Sequence, residues 1–327
     1  MTNNRVKNLA CCTSVLIFAT CNTAPDLGIF AGNTDIGAVN HAGSVEYNRA
    51  DGSYTLSASG TNMWFNEDEL HYVWKKMSGD LSIAADIEWV GDGVDPHRKA
   101  CLIIRQSLEP GSAYADAVIH GDGLTSLQYR DVTGGATREV QAALSAPRRI
   151  RLEKEGDYLS MSAAFAGEEL AAAGGAFKLA FSEPFYVGLG LCAHNNAVIE
   201  KAVFSDVVIE TIAPKADSLK KVASTLETIA IASFDRRVVY HTDVLIEAPN
   251  WSPGQTLIFN SSGLLYKIPV AGGEPELIPT GFARRINNDH GISPDGSQMV
   301  ISDATETGSS LAGRSMRVAV IRISSSR

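Results

Sequence analysis

Three observations in the sequence predict an all-β protein in two units. Short runs of period-two hydrophobicity fill residues 29–212, broken by Gly and Asp-Gly, and no stretch there shows helical spacing. About eleven strands in a segment of that size predict two packed sheets, a β-sandwich or jelly roll. A second pattern follows, in which Asn250-Trp251-Ser252-Pro253-Gly254 returns as Gly291-Ile292-Ser293-Pro294-Asp295-Gly296. The two Ser-Pro pairs stand 41 residues apart, a period that suits a propeller blade. A length of 327 residues agrees with two domains, each large enough for its own core.

The elements follow in chain order. Arg5 and Lys7 precede the apolar stretch Leu9 to Thr20, too short to cross a bilayer but the length of a signal-peptide core, so residues 1–24 are expected to direct export. In the first unit, residues 25–212, Leu81, Ile83, Ala85, Ile87 and Trp89 alternate with Ser82, Ala84, Asp86 and Glu88, giving one apolar and one polar strand face. Asp51-Gly52 and Gly121-Asp122-Gly123 read as hairpin turns between strands at 45–48 and 54–58 and at 114–120 and 124–130. Further strands are expected at 72–77, 100–107, 150–153, 158–165, 177–181, 186–193 and 202–209. Pro214 and mixed charge mark a linker at 213–224. In the second unit, residues 225–327, strands at 256–260 and 264–269, the turn Ala271-Gly272-Gly273 and an apolar segment at 277–278 make one blade.

Composition excludes several classes. Lys plus Arg number 28 against 37 Asp plus Glu, a net charge of −9 with no basic cluster, so nucleic acid is not an expected partner. Cys11, Cys12 and Cys21 lie in the leader, leaving Cys101 and Cys192 in the body, which is no disulfide framework. Those two could pair after export, but buried free thiols are the expectation. No Gly-rich phosphate loop, Ser nucleophile elbow or Cys-His motif occurs, and no cofactor is expected.

Several stretches resemble known families. Phe18-Ala19-Thr20-Cys21 resembles a bacterial lipobox, which implies lipidation at Cys21; Phe18 and Thr20 depart from its usual residues, and a plain cleaved signal or an apolar strand stay open. Residues from 225 onward resemble the TolB-type propeller repeat, in which a Trp-Ser-Pro-Asp-Gly turn precedes a blade strand and Gly-Gly-x-Pro follows it, here Gly272-Gly273-Glu274-Pro275. The first copy lacks the Asp at position 254, and the second has Ile292 in place of Trp. Roughly 100 residues hold about two and a half such repeats, fewer than the four a closed ring needs, so an incomplete propeller of about two blades is expected, from a truncated or frame-shifted product or a fragment. Residues 25–212 resemble the concanavalin A-like lectin and glucanase superfamily, through Trp64, Ser78-Gly79-Asp80-Leu81, Lys99 to Arg105 and Val187-Gly188-Leu189-Gly190-Leu191. That resemblance implies a sugar-binding or accessory module, although a fold alone proves neither.

Catalysis is not expected. Laminarinase-type relatives carry Glu-x-Asp-x-Glu on one strand, because retaining hydrolysis needs two carboxyl groups about 5 Å apart. The matching stretch here is Ala84-Ala85-Asp86-Ile87-Glu88, with Ala84 at the nucleophile position, so the pair is broken. Oligogalacturonate lyases with TolB-like propellers hold a metal with several His, whereas this half has only His241 and His290, and His290 is expected to be a turn hydrogen-bonder. Parity offers a binding face instead. With Leu102, Ile104, Ala117, Ile119, Leu127, Tyr129, Leu189 and Leu191 facing one way, Arg105, Asp116, His120, Gln128, Arg130 and His194 face the other. Planar hydrogen-bonding side chains of that kind, with Trp64, Trp74 or Tyr114 as an aromatic platform, suit a sugar. An ordinary wet sheet face is the alternative. The expected partner is therefore a glycan or an envelope protein, met in the periplasm or outside the cell, with a lipid anchor at Cys21 as the sole membrane attachment.

Overall fold

The computed structural model describes residues 26–213 and 223–304, together with the backbone of 317–322. The predicted leader with Cys21, and most of the predicted linker, lie outside the described residues. Every regular element described is a strand.

The first fourteen strands are β1 (Gly32–Ile36), β2 (Ser44–Asn48), β3 (Ser53–Ala58), β4 (Leu70–Met77), β5 (Leu81–Trp89), β6 (Lys99–Arg105), β7 (Tyr114–His120), β8 (Leu124–Arg130), β9 (Arg138–Ser145), β10 (Arg149–Glu155), β11 (Tyr158–Ala164), β12 (Ala171–Lys178), β13 (Phe185–Cys192) and β14 (Glu200–Thr211). Two of them, β1 and β9, fall where no strand is expected from the sequence. β12 begins six residues before the predicted 177–181, across an Ala- and Gly-rich stretch of weak strand propensity.

A hairpin of β15 (Ser224–Ile229) and β16 (Arg236–Thr242) follows. It begins at the far edge of the predicted linker and joins the larger sheet, whose order is β1-β4-β13-β6-β7-β8-β9-β16-β15. The junction is a short parallel pairing, with Arg236 opposite Val140 and Arg237 opposite Gln141. The seven-stranded partner sheet runs β12-β11-β10-β5-β14-β3-β2.

These two sheets enclose one core. Leu102, Ile104, Ala117 and Leu127 from the larger sheet meet Ile83, Ile150, Leu152 and Phe204 from the smaller one, all fully buried. Each of the Leu, Ile and Phe side chains among them stabilises the fold by about 1.5–3 kcal/mol relative to exposure. Val238 of β16 belongs to the same core, so the hairpin is packed against it as well as hydrogen-bonded to its sheet. The parity that separates inward from outward residues is the one the alternation dictates. Glycines permit the closest approach: a Cβ on Gly188 of β13 would stand 1.8 Å from the Val73 carbonyl oxygen. Cys101 and Cys192 are buried and free, with burial pushing the Cys192 thiol up to about 12.

The outer face of the larger sheet is not an ordinary wet face. β6 and β7 are buried along their whole length, because the segment 59–69 between β3 and β4 folds over them. Beneath it Met63 joins Tyr72, Cys101, Ile103, Tyr114 and Val118 in a second, smaller core.

The rest of the described chain forms two further sheets. β17 (Glu247–Ser252), β18 (Thr256–Ser261), β19 (Leu264–Pro269) and β20 (Glu276–Leu277) make a four-stranded meander. β21 (Ile286–Ile292), β22 (Gln298–Asp303) and β23 (Arg317–Arg322) make a three-stranded one. Leu226 and Val239 of the hairpin pack on Leu257 and Phe259, while Ile258 and Leu265 pack on Ile286, Met299 and Ile301. The meanders are thus layered face to face. The second Ser-Pro turn is locked by its own side chains: Asp295 accepts from Ser293 Oγ (2.5 Å) and from the Ser297 amide (3.0 Å), which holds its carboxyl down at about 2.

Candidate ligand-binding cleft

Register brings the polar residues of four strands into rows on the outer face of the larger sheet. Lys99 of β6 stands opposite His120 of β7, and Asp116 of β7 opposite Gln128 of β8. β9 then sets Glu139 opposite Gln128 and Gln141 opposite Ser126. Where segment 59–69 ends its cover, a cleft of about 350 Å³ remains, lined by Trp64, Lys99, His120, Gln128, Glu139 and Gln141, with Asn62, His97, Leu124 and His194 at its sides. That volume is near the lower end of the ~300–1,000 Å³ typical of ligand sites.

A buried ion cluster holds the cover in place. Asp68 is fully buried and accepts from Arg105 Nη1 (2.6 Å), Arg130 Nη1 (2.8 Å) and Arg130 Nη2 (2.7 Å). The other guanidinium bonds go to carbonyls, among them Glu109 O from Arg105 (2.8 Å) and Trp64 O from Arg130 (2.9 Å), and to Thr137 Oγ1 from Arg130 Nη2 (3.2 Å). Thr137 Oγ1 also donates to Trp64 O, at 3.2 Å. Both guanidinium groups lie over the Tyr114 ring, at 5.5 and 5.0 Å. Taking three charges out of water is costly, and their mutual hydrogen bonds offset that cost.

The structure therefore divides the residues expected to bind. Trp64, His120, Gln128 and His194 line the cleft. Arg105 and Arg130 do not; they are fully buried with their donors spent, and they position the segment that carries Trp64. Asp116 is also fully buried outside the cleft lining, and neither carboxyl oxygen has a partner. Burial pushes its carboxyl up to about 8, which favours the protonated form at pH 7. Of the other platform candidates, Trp74 packs edge-on against Tyr186 and Tyr114 lies between the two arginines. Glu139 and Gln141 join the cleft with β9, which is not expected from the sequence; Val140, Ala142 and Leu144 stand at period two there, against Glu139, Gln141, Ala143 and Ser145, a weak strand signal.

Hydrogen bonding fixes the cleft floor. Lys99 Nζ donates to Met63 O (2.8 Å), Asn62 Oδ1 (3.1 Å) and Gln128 Oε1 (3.3 Å), and lies 5.2 Å from the Trp64 ring centre. Gln128 Nε2 in turn donates to His120 Nε2 (3.2 Å), which leaves the imidazole proton on Nδ1, where it has no partner. Burial, reinforced by the Lys99 charge, holds His120 down at about 2, so this ring is neutral at physiological pH. Burial lowers His194 as well. Among the described residues no three His, Cys, Asp or Glu side chains are placed to hold a metal ion.

Two larger depressions flank this cleft. One of about 770 Å³ on the other side of segment 59–69 is walled by Glu67 and Glu69 beside Phe65. The other, about 500 Å³, opens between the sheets at Trp89, Ile119 and Phe165 and is mainly apolar. The smaller cleft is the one that combines an aromatic ring with converging amide, carboxylate and imidazole groups. Elsewhere, Asp86 is paired with Arg149 (2.7 Å) and Glu88 with Arg148 (2.7 Å) on the other sheet, and Ala84 beside them supplies no carboxyl. His290 lies in strand β21, not in a turn, and neither of its ring nitrogens has a partner. Its expected turn hydrogen bond is replaced by those of Ser293 and Asp295, three and five residues on.

No family model matches the chain. A curated protein of Agrobacterium fabrum, Atu1656, described as uncharacterized, is 53% identical over 89 residues, which are 27% of this chain and 30% of that protein. The chain thus matches less than a third of that relative's length. A solved structure provisionally identified as TolB from Agrobacterium tumefaciens is 44% identical, with 31% of this chain and 34% of that one covered and a TM-score of 0.27. A functionally unknown protein from Saccharomyces cerevisiae is similar to 55% of this chain over 97% of its own, at 16% identity and a TM-score of 0.43.

Proposed function

We propose that this is an exported, non-catalytic glycan-binding protein. Its ligand cleft lies on the outer face of a concanavalin A-like jelly roll, and two blades of a TolB-like propeller follow. The observation that carries this is the meeting of Trp64 with Lys99, Gln128, Glu139 and Gln141 in one cleft of about 350 Å³. A sugar ring offers apolar C–H faces to an aromatic surface and hydroxyls to planar amide and carboxylate groups. Two layered meanders and two Ser-Pro turns at blade spacing support the propeller. The ion-paired Asp86 and Glu88, without a carboxyl at Ala84, support the absence of glycosidase chemistry.

A glycan array probed with the whole chain and with Trp64→Ala tests this. A hit weakened at least about tenfold, or 1.4 kcal/mol, in the variant is expected. A blank array, or a hit indifferent to Trp64, would remove the cleft from consideration, and measured cleavage of any bound glycan would remove the non-catalytic assignment. A second reading, capture of an envelope protein by the meanders, is favoured by Trp251, Phe282 and Leu277, which are 56%, 52% and 50% exposed. It predicts partner binding that survives Trp64→Ala and is lost with Trp251→Ala.

A further inference from the structure

The cleft contains two formal charges, and the hydrogen bonds treat them unequally. Lys99 is nearly fully buried, and its three protons already have three acceptors in Asn62, Met63 and Gln128. A carboxylate, sulfate or phosphate entering here would have to break one of those bonds to reach the ammonium group. Its neighbours His120 and His194 offer no compensating charge, since both are held towards their neutral forms. Glu139 is also buried, at 8% exposure, but its carboxylate accepts a single described bond, from Gln141 Nε2 (2.6 Å). A carboxylate can accept about four. Glu139 on β9 is therefore an anionic acceptor with open hydrogen-bonding capacity in the lining of the cleft.

We infer that the cleft selects uncharged sugar units with free hydroxyls and rejects acidic ones, with Glu139 as the residue that sets the discrimination. This rests on the glycan-binding reading above. A hydroxyl can donate to Glu139, whereas a uronate carboxylate would face the Glu139 carboxylate while the Lys99 protons are already taken. The discrimination follows from repulsion as much as from fit. Lys99 is the cation that a reading of the sequence by charge alone would assign to an acidic sugar, and its saturation by Asn62, Met63 and Gln128 is what removes it from that role.

Matched probes isolate this term, because a hexoside and its hexuronoside differ only at C6. Calorimetric titration of the whole chain would compare methyl glucoside with methyl glucuronide, and methyl galactoside with methyl galacturonide, at pH 7. In at least one pair the neutral member should bind about tenfold or more tightly than the acidic one, and Glu139→Gln, which keeps the shape and removes the charge, should reduce that ratio below about threefold. A uronide that binds the unaltered protein as tightly as its hexoside overturns the inference whether or not the variant folds. An unchanged ratio in a folded Glu139→Gln variant overturns the role of Glu139. If neither member of either pair, nor any glycan on the array, binds the unaltered protein, the glycan-binding reading itself fails, and this inference with it.

Discussion

Residues 26–213 and residues 223–304 are both built from short antiparallel strands, yet they bury very different groups. The first region closes one large core between two sheets and a second core under segment 59–69, and it can bury the charges of Asp68, Arg105 and Arg130 without exposure to water. The second region has two small cores, and leaves Ile231, Phe234, Trp251 and Phe282 largely in solvent. Polar networks deep in a protein need a surrounding body that excludes water from every side. A layered stack of small sheets does not supply one. The cleft accordingly lies in the first region, where a covering segment can be fixed rigidly enough to hold an aromatic ring beside buried polar groups.

The largest expected effect comes from breaking that buried network. Asp68→Ala leaves two guanidinium groups in a dry site without their counter-charge, which costs on the order of 3–5 kcal/mol. Urea denaturation followed by tryptophan fluorescence should show the main transition lowered by that amount. A loss under 1 kcal/mol would mean that water reaches the cluster and that segment 59–69 is not clamped by it.

Equal truncations in the two regions sharpen the comparison. Leu102 and Leu265 are both fully buried, the first in the core between the two large sheets and the second between the two meanders. Leu102→Ala should cost about 2–5 kcal/mol, and Leu265→Ala should fall at the lower end of that range because the smaller layers can collapse around the gap. Calorimetry should assign the first loss to the main transition and the second to an earlier one. A single transition moved equally by both would show that the β15–β16 hairpin, with Val238 in the larger core, couples the regions into one cooperative unit.

These outcomes bear on how much the sequence alone could show. Alternation in β6, β7 and β8 was sufficient to sort inward from outward residues, because period two is a local property of a strand. It could not distinguish an outward residue in water from one beneath a covering segment. Arg105 and Arg130 thus look like ligand contacts until Asp68, 37 and 62 residues away, is seen to take their charge. β9 is hard to see for a different reason: Ala142 and Ala143 are weak strand formers, and only its pairing with β8, which sets Val140 opposite Leu127, places Glu139 and Gln141 on the outer face. The hairpin's attachment to β9 was beyond local pattern altogether, since a two-residue parallel pairing has no sequence signature.

Asp116 supplies a pH-dependent test confined to the first region. Its carboxyl titrates near 3.9 in an unfolded chain and at about 8 in the fold. Between those values the folded state keeps a proton that the unfolded state has released, so raising the pH favours unfolding, by at most about 1.4 kcal/mol per pH unit. The penalty is absent below pH 4 and complete above pH 8. Asp116→Asn should remove it, so that the variant gains on the unaltered protein steadily from pH 5 to pH 8 in urea midpoints. Parallel pH profiles would show instead that a solvent path or a bound cation reaches this carboxyl.

The smallest effect should come from the hydroxyl that joins the cover to the cleft. Thr137 Oγ1 donates to Trp64 O and lies 3.2 Å from the Tyr114 hydroxyl, so Thr137→Val removes a shared partner with little change of volume. Loss of such a bond costs about 1 kcal/mol of stability. A purely structural hydroxyl would show that loss and nothing else. If it also positions Trp64, hexoside affinity should fall severalfold while the Glu139-dependent ratio of hexoside to hexuronoside stays fixed, because the aromatic platform serves both ligands and the charge on β9 separates them.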